Sequence, residues 1–180
     1  MSGKGEQLMD SYRLAQYSVQ VPCFICEGGN SFDAEVCRHC QAPMALAQQA
    51  NLRKIPPQLV ATIGSADSGK TVYLGMLTDM LSRGHQDLQL LARGAFSVSL
   101  QQMTMSALSN CEFPEKTPNE PDRWNWIHCQ VRSSNKRHPT ELIIPDLSGE
   151  AILEEVDHPH TYPVIRAFLS KCAGILILVD

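Results

Sequence analysis

The order of apolar and polar positions breaks the chain into two parts at Pro56-Pro57. Upstream, residues 43–54 read as a short helix stopped by those prolines, which lack an amide proton and disfavour helix in the preceding residue. Downstream, Leu59, Val60, Ala61, Thr62 and Ile63 form an apolar run of strand length. Residues 70–83 then place Val72, Leu74, Leu77, Met80 and Leu81 near one helical stripe, and Gly84 marks its end. A second helix is predicted over 96–110 from the spacing of Phe96, Leu100, Met103 and Ala107. Residues 111–123, rich in Pro, Asn, Glu and Asp, predict a loop. Ile127, Cys129 and Val131 alternate with His128, Gln130 and Arg132, the two-residue period of a half-buried strand. A polar turn at 133–139 and an apolar strand at 140–145 complete an antiparallel hairpin with the strand at 126–132. A helix over 163–171 precedes a fully apolar strand at 174–179. Strands interleaved with helices indicate an α/β domain over 58–180.

Length and composition allow one such domain and a small appendage: 180 residues, 43% hydrophobic and 19% charged. A formal net charge of −4 gives no general attraction for nucleic acid or anionic membranes. No apolar run approaches the roughly 20 residues of a membrane helix. Residues 1–20 are polar, lack a signal-peptide core and read as a flexible leader, so the expected location is cytoplasmic.

The turn between the first strand and its helix carries the first chemistry. Gly64, Ser65, Ala66, Asp67, Ser68, Gly69, Lys70 and Thr71 fit G-x-x-x-x-G-K-[ST]. Such a loop must curl so that successive backbone N–H groups face phosphate oxygens, and glycines permit the curl and the close approach. Lys70 is then placed to reach the β- and γ-phosphates and the Thr71 hydroxyl to bind Mg²⁺, while the following helix adds its positive N-terminal end. A strand before the loop and a helix after it are the context this motif requires.

A second landmark ends the 140–145 strand: Pro145, Asp146, Leu147, Ser148, Gly149 and Glu150. The Asp146 carboxylate, at the end of an apolar strand beside the loop, is a second Mg²⁺ ligand, direct or through water. In the D-x-x-G form, the Gly149 N–H can meet a terminal phosphate that a side chain would block.

The loop and the D-x-x-G-E segment together resemble the first and third motifs of the translation-factor and Ras-like class of GTPases. They are also similar to the bacterial double-GTPase type of domain. The resemblance covers residues 58–180. It implies a three-layer P-loop NTPase fold with strand order 2-3-1-4 and strand 2 antiparallel. It also implies a first switch containing a phosphate-sensing threonine, for which Thr117 is the candidate, and a catalytic water handled by Glu150 with Lys70 as the charge partner. Glu150 stands where relatives carry Gln or His, which points to slow hydrolysis. The base-reading motif of that class would follow the 174–179 strand, beyond Asp180, so the domain is expected to be incomplete there. Mg²⁺-dependent binding of GTP, as a regulatory switch, is the principal expectation. A P-loop ATPase, with Asp180 closing a second acidic strand, and a non-hydrolysing nucleotide-binding docking module are the alternatives.

Four of the seven cysteines form two C-x-x-C pairs, Cys23/Cys26 and Cys37/Cys40. Two such knuckles close a tetrahedral four-sulfur zinc site, and residues 21–46 resemble a zinc ribbon. Gly28 and Gly29 follow the first pair and are expected to give the knuckle its permissive backbone. A unit so small needs the metal to fold. Residues 47–57 are then a linker helix. A closed site has no position for catalysis, and Arg38 is the only Lys or Arg between Pro22 and Leu52, so the ribbon is expected to dock a protein rather than nucleic acid. His39 reads as a spectator, and Cys111, Cys129 and Cys172 as small buried hydrophobes. Asp157, His158 and His160 read as a mobile polar loop, and Trp124 and Trp126 as packing residues of an edge strand.

Overall fold

The computed structural model describes residues 19–52 and 56–179. The chain divides into two compact units, Met1–Lys54 and Ile55–Asp180. Of the expected leader, residues 1–18 lie outside the described residues, as do residues 53–55 of the expected linker and Asp180.

In the first unit, strands β1 (Gln20–Pro22) and β2 (Gly29–Ser31) pair antiparallel with Val21 opposite Asn30. Helix α1 (Met44–Leu52) follows. It starts before the expected linker and belongs to this unit: Gln48 Nε2 donates to the Phe32 carbonyl at 3.0 Å and Asn51 Nδ2 to the Pro22 carbonyl at 3.1 Å. Ile25, Met44, Leu46 and Ala47 are among the buried apolar side chains of this unit.

The second unit is built on a five-stranded sheet. In chain order its elements are β3 (Gln58–Ile63), α2 (Lys70–Ser82), β4 (Leu88–Arg93), α3 (Gly94–Ser109), β5 (Trp126–Ser133), β6 (Thr140–Pro145), α4 (Gly149–Asp157), α5 (Pro163–Lys171) and β7 (Gly174–Ile177). The strand order is β4-β5-β6-β3-β7, with β3 parallel to β6 and β7, and β5 antiparallel to β4 and β6. Two elements were not expected. Strand β4 lies in the least legible stretch and adds a fifth strand at the edge of a sheet expected to have four. Helix α4 occupies a stretch for which no element was predicted; Ser148 caps it, its hydroxyl accepting the Ala151 N–H at 3.4 Å.

Strand β4 also alters what β5 is. With β4 on one side and β6 on the other, β5 is interior, and residues 126–130 are buried on both faces. The expected half-buried strand is therefore corrected. Its inward polar residues satisfy each other: Arg93 Nη2 donates to Gln130 Oε1 at 2.7 Å, Gln130 Nε2 to Glu141 Oε1 at 3.3 Å, and His128 Nε2 lies 3.0 Å from Glu141 Oε2. Trp126 accordingly packs inside the sheet, edge-on against Phe168 of α5 at 5.8 Å between ring centres, and not on an edge strand.

Side chains alternate across the strands, so Ile127 and Cys129 face the other way from Trp126. They join Leu90, Ile144 and, from the helices, Leu74 and Leu100 in the main core. Helices α2 and α3 thus cover one face and α5 the other, giving three layers. The inner stripes differ from those expected. On α2 the buried residues are Lys70, Leu74, Gly75 and Thr78, and on α3 they are Ser97, Leu100 and Thr104; Met80 and Met103 are exposed. A side chain at Gly75 would collide with Thr104, so small residues let the two helices approach closely, while Leu74 and Leu100 point into the core and Met80 and Met103 stay outside. Among the described residues, no helix is long and apolar enough to cross a membrane.

Candidate functional site

The four cysteines of the first unit converge. Their sulfurs lie within 4.8 Å of one another, with Cys23–Cys40 and Cys26–Cys37 each at 3.6 Å. Tetrahedral Zn–S bonds near 2.3 Å put sulfurs about 3.8 Å apart, so the cluster has the dimensions of a zinc site. The two knuckles repeat one design. In each, the residue after the second cysteine is left-handed, Glu27 (φ 61°) and Gln41 (φ 63°), and its N–H returns to the carbonyl of the first, Glu27 to Cys23 at 3.0 Å and Gln41 to Cys37 at 2.8 Å. The left-handed turn thus falls at Glu27 and not at the glycines that follow. Backbone N–H groups of Ile25 and His39 approach the sulfurs of Cys23 and Cys37, each at 3.4 Å. The Cys40 thiol holds Cys23 low, at about 5, while Cys40 is pushed up by that same contact and by burial. Burial also pushes up Cys26. Four sulfurs converging at these distances are the soft donor set that suits Zn²⁺. His39 stays outside the sulfur cluster, with its Nε2 accepting from Arg38 Nε at 3.1 Å.

In the second unit the sheet's topology assembles the other site. β3 and β6 are parallel neighbours, so the loop after Ile63 and Asp146 after Pro145 emerge at one edge. β5 runs the opposite way, so the segment leading into it arrives at that same edge. This brings Thr117 there, 46 residues from Thr71 in the chain. Gly69 adopts φ 79°, as the turn into α2 requires. Lys70 is buried at 7% exposure; its Nζ donates to the Gly64 carbonyl at 3.0 Å and the Ser65 carbonyl at 2.6 Å, arching over the loop. Ser68 Oγ donates to the same Ser65 carbonyl at 3.0 Å.

Asp146 is fully buried. Its Oδ2 accepts the Thr71 and Thr117 hydroxyls, each at 2.9 Å, and those hydroxyls lie 3.1 Å apart. Its Oδ1 is buried with no hydrogen-bond partner among the described residues. Burial pushes its carboxyl up, against the opposing pull of Thr71, Thr117 and Lys70. Two hydroxyls and a desolvated carboxylate with an unused oxygen are the hard oxygen set that suits Mg²⁺, so these residues fit that ion.

Gly149 is pressed against the loop. A Cβ there would lie 2.7 Å from the Ala66 nitrogen and the Gly64 oxygen and 2.8 Å from the Ser65 carbonyl carbon. The expected reason for this glycine, room for a phosphate, gives way to a nearer one, room for the loop's own backbone. Glu150 is exposed in the first turn of α4; its carboxylate takes the Lys116 ammonium at 2.6 Å and Asn119 Nδ2 at 3.3 Å. Lys116 draws the Glu150 carboxyl below the usual range, and Glu150 raises the Lys116 ammonium. Ser148 Oγ donates to Asn119 Oδ1 at 2.5 Å. Lys116 and Asn119 belong to no motif and Ser148 fills a variable position of the D-x-x-G segment, so adjacency to Thr117 and Gly149 was the signal that could have found them. A cavity of about 670 Å³ opens here, with Lys70, Thr71, Tyr73, Phe113, Lys116 and Gly149 among its walls.

Other candidates are resolved as structure. Trp124 Nε1 donates to the Pro118 carbonyl at 2.8 Å, and its ring lies 6.1 Å from that of Tyr162. The polar loop expected to be mobile is tied down: Glu155 accepts the His160 N–H at 3.0 Å and the Tyr162 N–H at 2.7 Å, and pairs with Arg166 at 3.1 Å. Cys129 is buried as expected, whereas Cys111 is exposed on a left-handed turn.

No curated protein and no solved structure gives a significant match to the chain. Residues 61–180 match the Double-GTPase 1 family over the loop, the acidic strand end and the whole sheet beyond them, and the chain belongs to that family.

Proposed function

We propose that the second unit binds GTP with Mg²⁺ and hydrolyses it slowly as a regulatory switch of the Ras-like and translation-factor kind, and that the cysteine unit is a zinc ribbon that docks a protein partner. The observation that carries the nucleotide reading is the buried Asp146, with both threonine hydroxyls on one oxygen and the other oxygen unused. Guanine as the base rests on membership of the family.

Each residue has a definite task in this reading. The loop 64–69 offers backbone N–H groups to the phosphates, and Lys70, already over the loop, supplies positive charge to them. Thr71, Thr117 and Asp146 hold Mg²⁺, which when bound neutralises charge on the β- and γ-phosphate oxygens. In hydrolysis a water oxygen bonds to the γ-phosphorus while the bond to the bridging oxygen breaks, the electron pair leaving with the diphosphate and the water's proton passing to phosphate oxygen and on to solvent. Glu150 orients that water. A carboxylate is a weak base, which is the physical reason to expect slow turnover. Side-chain hydrogen bonds join segments 116–119 and 146–150, Lys116–Glu150, Thr117–Asp146, Asn119–Ser148 and Asn119–Glu150, contacts that a γ-phosphate can rearrange. For the ribbon, a closed sulfur site, the half-exposed Phe32 and Val36 and the scarcity of basic residues favour a protein partner.

Lys70→Ala tests the reading. GTP affinity should fall by roughly 100-fold or more, since a charged phosphate contact is lost. Its buried bonds to Gly64 and Ser65 also go, so the free protein should lose about 1–2 kcal/mol as well. GTP binding in the variant equal to wild type by calorimetry would refute the assignment.

A further inference from the structure

We propose that Lys116 is a cation carried in cis for the terminal phosphate of the bound triphosphate, held by Glu150 until the nucleotide arrives. The inference rests on the GTP reading and adds a residue that no motif assigns. Three observations carry it.

The first is position. Lys116 precedes Thr117, whose hydroxyl is fixed on Asp146 at 2.9 Å and beside Thr71 at 3.1 Å. The lysine backbone is therefore anchored next to the metal-binding oxygens, and its side chain lines the same cavity as Lys70, Thr71 and Gly149. Its partner Glu150 follows Gly149, whose backbone abuts the phosphate loop. The ammonium thus lies between the two segments that would flank a terminal phosphate.

The second is charge. The charged residues lining the cavity are Asp67, Glu115, Lys70 and Lys116. Lys70 and Lys116 only balance the two carboxylates, and Lys70 is committed to loop carbonyls on one side. A triphosphate brings several negative charges, so Lys116 is the remaining lining group that can answer them.

The third is exchangeability. The Lys116–Glu150 pair is half exposed on both sides, 49% and 48%. Exposed pairs of this kind contribute little, so a phosphate can replace the carboxylate at small cost. Glu150 is not orphaned when that happens, because Asn119 Nδ2 is already on its other oxygen at 3.3 Å and Ser148 holds Asn119 in place. Pairing with Glu150 parks the ammonium near its destination, and the triphosphate collects it.

A plain latch between the two segments predicts different results. Breaking a latch from either end has the same effect, whereas the proposal gives the two ends opposite signs. The test is run on the full-length protein with GDP and a non-hydrolysable GTP analogue. Lys116→Ala should leave GDP affinity unchanged, lower analogue affinity about tenfold and slow GTP turnover at saturation by roughly 100-fold. Lys116→Arg should keep most of both. Glu150→Gln should keep or raise the preference for the analogue over GDP, because it frees the lysine. The proposal is overturned if Lys116→Ala leaves the analogue-to-GDP preference unchanged, or if Lys116→Ala and Glu150→Gln shift it in the same direction. Failure of the GTP reading itself is recognised separately, by wild-type protein that binds neither nucleotide.

Discussion

The two units of this chain solve the problem of holding a site in opposite ways. In the cysteine unit the site is part of the core: four cysteine sulfurs within 4.8 Å of one another share a small interior with the buried Ile25, Met44 and Leu46. In the GTPase unit the site lies at the edge of a finished scaffold, and Leu74, Leu90, Leu100, Ile127 and Ile144 hold that scaffold together without it. As a zinc site, the first would gain its stability from its ligand. The second spends part of its stability keeping a ligand site ready, as the unpartnered Asp146 oxygen and the Gly149 contact with the loop illustrate.

Removing the metal should break this comparison open most widely. Structural zinc is worth about 10 kcal/mol or more in units of this type, so a strong chelator, or Cys23→Ser with Cys37→Ser, should abolish amide protection over residues 20–52. Protection over 58–178 and GTP binding should persist, and hydrogen exchange with a zinc assay reads both. Loss of protection in the GTPase unit as well would show that its core does not stand by itself.

The next effect is steric. Gly149→Ala drives a methyl into loop backbone that has no flexible end to yield, and should cost about 1–3 kcal/mol. GDP and GTP affinities should drop together, because the loop itself moves. A selective loss of GTP alone would mean that the loop relaxes and only the phosphate is obstructed.

Asp146→Asn exposes the cost of readiness. It removes a buried charge whose Oδ1 has no partner, so the nucleotide-free protein should gain about 1 kcal/mol. The same change should remove Mg²⁺-dependent GTP binding. A thermal midpoint below wild type in metal-free buffer would contradict the strain assigned to this carboxylate.

The smallest effect belongs to the ribbon's backbone. Glu27 and Gln41 occupy left-handed turns that favour glycine. Glu27→Gly and Gln41→Gly should each add roughly 0.5–1 kcal/mol, read as a few-fold tighter zinc affinity in competition with a chelator. Unchanged affinity would mean that the knuckle turns are already relaxed.

Both binding motifs were legible in the sequence because each is local. Gly64 to Thr71 must be contiguous for one loop to wrap a phosphate, and each C-x-x-C pair must be close for one turn to present two sulfurs. Helix α4 had a readable start, Ser148 before the Glu150 turn, passed over because the segment was read for its D-x-x-G chemistry alone. Tertiary structure alone decided the rest. Strand β4 carries little pattern of its own, and by pairing with β5 it buried His128 and Gln130 against Glu141, reversing the meaning of an alternation that looked half exposed. Lys116 and Glu150 are 34 residues apart, and nothing in either segment names the other. They meet because β5 runs antiparallel to β6, which delivers the loop before one to the edge where the other ends. Local spacing fixes which chemistry a loop can perform, and the direction of the strands fixes which distant side chains are there to take part.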